Sequence, residues 1–314
     1  MQKIFTFIFL TIVSAGFAQQ YKAEVAFTIP EKDLIPEGIA YDPVEKAFYV
    51  SSIYKRKIVK LSSKGEISDF VPFRQDEIQE VLGMKVDSKG LLWACNNAYE
   101  EDSLRISNIH VYNTKTKSLI KRYQLSDGKR HLFNDLQIMS SGDVYITDTE
   151  ISMIWVVRKD KNILEEFTKP GSVSSPNGIT ATPDEKHLII STDNGLTMMN
   201  IETKALKPLR SSRYHLSGYD GLYLYKSSLI GVQNIYFPES IHKLDLAPAS
   251  EAIEKVESIL TEHPQFDIPT TGVVVENYFY LIANSQLLQI IGNKGKIKNP
   301  EKLNDTIILK IKLD

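Results

Sequence analysis

Short runs of four to six β-branched, aromatic and aliphatic residues recur along the chain, each closed by Gly, Asp, Asn, Lys or Ser, while helical periodicity is scarce. That pattern predicts strands and turns. From Pro176 onward four such runs, residues 178–182, 187–192, 196–201 and 205–209, are divided by the turn-forming Pro183-Asp184-Glu185-Lys186, Asp193-Asn194-Gly195 and Glu202-Thr203-Lys204. Four antiparallel strands in succession make one β-propeller blade.

The same arrangement returns along the chain. Taking Glu37, Leu82, Asn134, Asn177, Asp220 and Thr271 as equivalent first positions gives six units with steps of 45, 52, 43, 43 and 51 residues. Blades of this kind run at about 40 to 50 residues, so the sequence predicts an all-β, six-bladed β-propeller with four-stranded antiparallel blades. Two stretches lengthen the period. Residues 100–107 insert charge into the second unit, and residues 248–260 have the apolar spacing of a short amphipathic helix in the fifth. The strand-like AEVAFTI from Ala23 is expected to close the ring against the last blade, near TIILKIKL at the C-terminus. No Pro, Gly or Ser-rich linker divides the chain, so residues 19–314 read as one domain.

The first residues carry one Lys ahead of an apolar run from Ile4 to Val13 and then Gly16-Phe17-Ala18. This is the layout of a signal peptide over residues 1–18, which predicts export to the periplasm or beyond the cell. The 37 basic and 39 acidic residues leave a net charge of −2. Such a balance gives no basic field for nucleic acid or an anionic membrane. The expected partner is a small molecule, and the expected state a monomer or weak oligomer. Cys95 is the only cysteine, so no intramolecular disulfide forms.

In a propeller the inner strand of each blade starts near the central channel, so the six first positions converge on one axis. Four of them, Glu37, Asn134, Asn177 and Asp220, offer oxygen ligands. Two carboxylates and two amides suit one hard divalent cation, Ca²⁺ first, with Mg²⁺, Mn²⁺ and Zn²⁺ as alternatives. Against this, Asn177-Gly178 and Asp220-Gly221 are also common turn dipeptides. Their recurrence in one frame, each directly before an inner strand, favours the metal reading.

Pro36-Glu37-Gly38, Phe133-Asn134-Asp135, Pro176-Asn177-Gly178-Ile179 with Pro183-Asp184, and Tyr219-Asp220-Gly221 resemble the family of senescence marker protein (regucalcin), gluconolactonase and luciferin-regenerating enzyme. The resemblance spans nearly the whole chain after the leader. It implies a metal held by Glu37, Asn177 and Asp220, with Asn134 beside it on metal water or substrate, and a hydrolase of lactones or related esters. Asp220 is the expected base and Asn134 the group that positions substrate or water. Sugar-lactone members often carry Arg two residues before the Asn, where this chain has Leu132. Arg130 and His131 are near enough in sequence to substitute.

His110 and His242 fall at one strand position shared with Val59 and Trp155, which indicates packing. Cys95 lies in a strand and reads as a core residue. Gln233 and Asn234 resemble channel-top positions, or turn residues. The sequence has no Gly-x-Ser-x-Gly elbow, phosphate loop or His-Glu-x-x-His helix. A non-catalytic propeller with a structural cation, and another reaction on the same scaffold, stand as alternatives to the hydrolase.

Overall fold

The computed structural model describes residues 21–98, 107–125, 127–247 and 252–314. The leader and nearly all of the charged insertion at 100–107 lie outside them. The described strands form six four-stranded antiparallel sheets, and the described helical segments are single 3-10 turns at Gln75–Glu77, Leu287–Gln289 and Pro300–Lys302. The innermost strands are Ile39–Asp42, Glu80–Val86, Phe133–Ile138, Ile179–Ala181, Tyr219–Tyr225 and Gly272–Val275. Each packs beside the next, and the sixth packs beside the first. The ring is therefore closed, and the fold is the six-bladed β-propeller that the repeat predicts.

Closure is made by hydrogen bonds between the chain's two ends. Ala23–Ile29 pairs antiparallel with Thr306–Lys312, from Ala23 opposite Ile311 to Ile29 opposite Thr306. Blade six thus takes three strands from the C-terminal region and its outermost strand from the N-terminal one. Opening the ring would require breaking that ladder. Apolar residues fill the seams between blades. Phe48 of blade one packs against Phe27 and Tyr280 of blade six at centroid distances of 5.3 and 4.6 Å, while Phe70 meets Tyr49 of its own blade and Tyr112 of the next. His110 and Cys95 are buried in this packing, as their strand positions indicate.

The helix expected over 248–260 is a strand. Ile253–Thr261 forms the outer edge of blade five, with residues 248–251 outside the described set. Its ladder to Ser240–Leu246 carries two bulges, and the pairs Leu246 to Ile253 and Leu244 to Val256 bracket one of them. An extra residue there stretches a spacing of two into three, which reads as a helical period in sequence. Blade six holds a second surprise, a connection of more than twenty residues between Tyr278–Ile282 and Thr306–Lys312. Gln286 ties it down by donating to the carbonyls of Asn304 at 3.0 Å and Lys32 at 3.3 Å.

Around the channel the inner strands approach until no side chain fits between them. A Cβ on Gly178 would stand 2.1 Å from the Asp220 carbonyl oxygen, and one on Gly38 would stand 2.1 Å from that of Leu82. Neither glycine has positive φ, so Asn177-Gly178 is no tight turn; the absence of a side chain is what the position requires. Gly178→Ala is accordingly expected to cost about 1–3 kcal/mol by overpacking, read by urea denaturation. An unchanged midpoint would mean that the blades separate freely.

Candidate metal centre in the channel

Glu37 sits at the mouth of blade one, its backbone carbonyl accepting hydrogen bonds from the Thr270 hydroxyl at 3.0 Å and from Thr271. These bonds fix blade one to blade six and commit the Thr271 hydroxyl to structure. The Glu37 side chain is buried, and its Oε2 has no hydrogen-bond partner. Burial, then the charges of Asp220 and Asp135, hold its carboxyl well above the usual range.

Asp220 is the second residue of the inner strand of blade five. Its Oδ2 accepts a 2.6 Å hydrogen bond from Asn234 Nδ2, which also donates to the Pro269 carbonyl at 2.9 Å. Burial pushes the carboxyl up to about 7; hydrogen bonds from Asn234 and Asn177 oppose the rise and the Asp135 charge adds to it. Asn134 donates its amide to Thr149 Oγ1 at 3.1 Å, and the Thr149 hydroxyl donates to the Pro176 carbonyl at 2.6 Å. With the amide nitrogens of Asn134 and Asn177 engaged, their carbonyl oxygens are left as acceptors.

Two further charged groups complete the channel, and the sequence reading did not single them out. Asp135 is buried, accepting from the backbone amides of Leu136 at 2.8 Å and Ile179 at 3.3 Å. Burial raises its carboxyl, and the Lys85 charge works against that rise. Lys85, half-buried, donates to Gln137 Oε1 at 2.8 Å and to the Ile179 carbonyl at 3.3 Å, and burial lowers its amine. Signals for both were present. Five first positions are followed by Gly, in Glu37-Gly38, Leu82-Gly83, Asn177-Gly178, Asp220-Gly221 and Thr271-Gly272, and only Asn134 is followed by a carboxylate. That carboxylate lies where Gly83 leaves space, because a Cβ there would meet Asp135 Oδ1 at 2.6 Å. Lys85 is the lone cation in the inner strand Glu80–Val86.

A cavity of about 470 Å³ opens at the other end of the channel, between Met84, Lys85, Tyr223 and Val273. Asp135 lines it, but Glu37, Asn134, Asn177 and Asp220 do not, so the metal candidates lie beyond its inner end. Among the described residues, no three His, Cys, Asp or Glu side chains are grouped to hold a metal. A centre here needs the two asparagines. The donor set nonetheless fits a hard dication: Glu37 Oε2 is a buried carboxyl oxygen without a partner, and the three carboxyls, once ionised, would exceed the Lys85 amine by two negative charges, which one dication would neutralise.

The other sequence candidates fall elsewhere. His131 is buried with both ring nitrogens engaged, Nδ1 to Asp148 at 2.6 Å and Nε2 to Asp127 at 3.1 Å. Arg130 pairs with Glu150 at 3.6 Å. His242 meets the Tyr219 hydroxyl at 2.9 Å. Burial first, then the Asp135 and Glu37 charges, drive the Cys95 thiol up, which leaves it inert as a nucleophile. Gln233 donates to the Ser217 carbonyl at 2.9 Å and is structural, while Asn234 reaches the site.

His131 supplies a pH test. Burial alone would lower the imidazole, but its bonds to Asp148 and Asp127 outweigh that and raise it. A raised folded-state value gives stability that is complete below the ordinary histidine value of 6.5 and is lost as pH climbs through the folded one. His131→Leu is expected to cost about 1–3 kcal/mol near pH 5 and less above pH 8, by urea denaturation across pH. A pH-independent difference would show that the ring acts only by packing.

No family model matches the chain, and no curated protein matches it. Among solved structures, a gluconolactonase from Xanthomonas campestris is similar at 13% identity over 94% of this chain and 90% of that one, with a TM-score of 0.66. The chain shares a gluconolactonase's fold. Luciferin-regenerating enzyme is similar at 12% identity over 93% of this chain and 95% of that one, TM-score 0.62. Virginiamycin B lyase from Staphylococcus aureus is similar at 16% identity over 94% and 100%, TM-score 0.61. The resemblance drawn from sequence is thus met at the level of the fold. A lactonase and a lyase share this scaffold, so chemistry has to be argued from the channel.

Proposed function

We propose that the protein is a metal-dependent hydrolase of lactones or related esters, with one divalent cation held by Glu37, Asn134, Asn177 and Asp220. The observation that carries this reading is the gathering of three buried carboxyl groups, Glu37, Asp220 and Asp135, around the channel with Glu37 Oε2 lacking any partner: burial and mutual charge disfavour their ionised forms, and a bound dication would offset that penalty. A dication there would polarise a carbonyl oxygen and offset the negative charge that develops on it. Asp220, held by Asn234, would take a proton from the attacking water. The Asn134 oxygen, oriented through Thr149, would position that water or the substrate. The likeness to a gluconolactonase supports the substrate class, and the apolar leader at residues 1–18 supports export, which N-terminal sequencing of the mature protein would test.

The decisive assay follows hydrolysis of small lactones and aryl esters by protein stripped with chelator and resupplied with Ca²⁺, Mg²⁺, Mn²⁺ or Zn²⁺. Turnover is expected to vanish on stripping and to return with a hard cation. A cation that raises the melting temperature with no substrate turned over would instead identify a non-catalytic binding propeller.

A further inference from the structure

The large apolar side chains exposed among the described residues are unevenly placed. Val25, Ile67, Ile120, Ile163 and Leu206 each stand on the outermost strand of a blade, as edge strands commonly show. The four exposed aromatics, Phe73, Tyr214, Tyr236 and Phe237, all lie on the face of the ring that carries Glu37 and Asp220, as do Leu288 and Ile291, while Val44 stands on the opposite face. The topology requires this. Phe73 and Tyr214 are on connections leading into the inner strands of blades two and five, while Tyr236 and Phe237 follow the second strand of blade five, where Gln233 pairs with Tyr219.

Three consecutive residues of that last loop, Ile235, Tyr236 and Phe237, are 65%, 48% and 83% exposed. The loop is fastened to the candidate site at its base. Asn234 gives one amide to Asp220 and the Pro269 carbonyl, and its backbone donates to the Gly218 carbonyl at 3.3 Å. The Tyr236 ring lies over Gly218, where a Cβ would come within 2.6 Å of the ring. Glu239, the next charged residue, is buried and accepts from the Ile268 amide at 3.0 Å. Beyond the Tyr236 hydroxyl, the exposed tripeptide offers no side-chain group to bind a sugar's hydroxyls.

We propose that the loop at 235–237 receives an acyl or aryl part of the substrate, so that the site selects lipophilic lactones or esters over polyhydroxylated ones. The reacting group rests on the hydrolase reading; the apolar part rests on this loop. The test is a γ-lactone series from γ-butyrolactone to γ-dodecalactone, with glucono-δ-lactone beside it, on metal-loaded wild type, Phe237→Ser and Ile235→Ser. In wild type kcat/KM is expected to rise roughly two- to fourfold per methylene, following the usual gain from burying one. That slope should flatten in both variants, while the metal-induced rise in melting temperature persists as evidence of an intact fold. A flat series in wild type, or an equal slope in the variants, overturns the proposal.

Calorimetric titration with butanoate to dodecanoate separates this inference from the hydrolase reading. Affinity that grows with chain length in a protein that hydrolyses nothing keeps the apolar subsite and removes the hydrolase. Hydrolysis of glucono-δ-lactone with no chain-length dependence does the reverse. Co-sedimentation with phosphatidylcholine and phosphatidylglycerol vesicles, again without a chain-length slope, would reassign the loop to a lipid surface and overturn the proposal.

Discussion

Glu37→Gln is expected to abolish metal-dependent turnover and, in the same protein, to raise the melting temperature of the chelated state at pH 8. The two effects have one cause. Glu37 is buried with Oε2 unpartnered, and Asp220 and Asp135 add their charge to the burial that disfavours its ionised form. Without a cation, the native state must either hold a proton that the unfolded chain would release or bear the repulsion. Because the folded-state value is raised, stability is complete below the unfolded value and declines as pH climbs towards the folded one, by about 1.4 kcal/mol per unit. For Asp220 that window runs from its ordinary 3.8 to about 7. Chelated wild type should therefore be more stable at pH 5 than at pH 8, and the Gln variant should lose part of that dependence. With metal present the order reverses: a ligand at a hundred times its Kd adds about 2.7 kcal/mol to wild type, and the variant should gain little of it. Calorimetric melts at two pH values, with and without Ca²⁺, read all four states. An undiminished metal shift in the variant would remove Glu37 from the ligand set.

The fold was more legible than the site, for a physical reason. A propeller repeats one unit, so each blade's alternation, turns and first position support the reading of the others. The 253–261 strand escaped because its bulges broke the period of two that identifies a strand, while a short apolar run with an unbroken ladder and clear flanking turns, such as His187–Thr192, was placed to the residue. The four oxygen donors were visible because they occupy one frame. Asp135 and Lys85 were not, since neither is the first residue of its unit. Their roles arise from the approach of different blades: Asp135 fills space beside Gly83 and receives a backbone hydrogen bond from blade four, and Lys85 reaches blade four at Ile179. Contacts between blades are fixed by ring closure, which no single repeat displays. Asn234 lies between these cases, recognisable as a channel-top position but informative only once its amide is seen on Asp220.

Lys85→Met should act on stability and metal affinity in opposite directions. The Lys85 amine is the cation acting against the rise of the Asp135 carboxyl, and it also supplies hydrogen bonds to Gln137 and the Ile179 carbonyl. Removing it leaves three acidic side chains without that compensation. Neighbouring unit charges at an effective dielectric near 20 interact by a few kcal/mol, so a loss on the order of 2 kcal/mol is expected in chelator, before the loss of the two hydrogen bonds. The same change deepens the negative potential around Glu37 and Asp220, and the cation should bind more tightly. Adding Asp135→Asn should recover most of the electrostatic part, because the charge that needed Lys85 is then gone. Urea denaturation of both single variants and the double variant gives the coupling directly, and titration with Ca²⁺ gives the affinity. If Lys85→Met is as costly with Asn at 135 as with Asp, the amine contributes only packing and its local hydrogen bonds, and the excess charge at the mouth comes from Glu37 and Asp220 alone. A coupled pair would instead make Lys85 the residue that keeps the metal-free channel folded by balancing Asp135, so that the excess charge left at the mouth matches one dication.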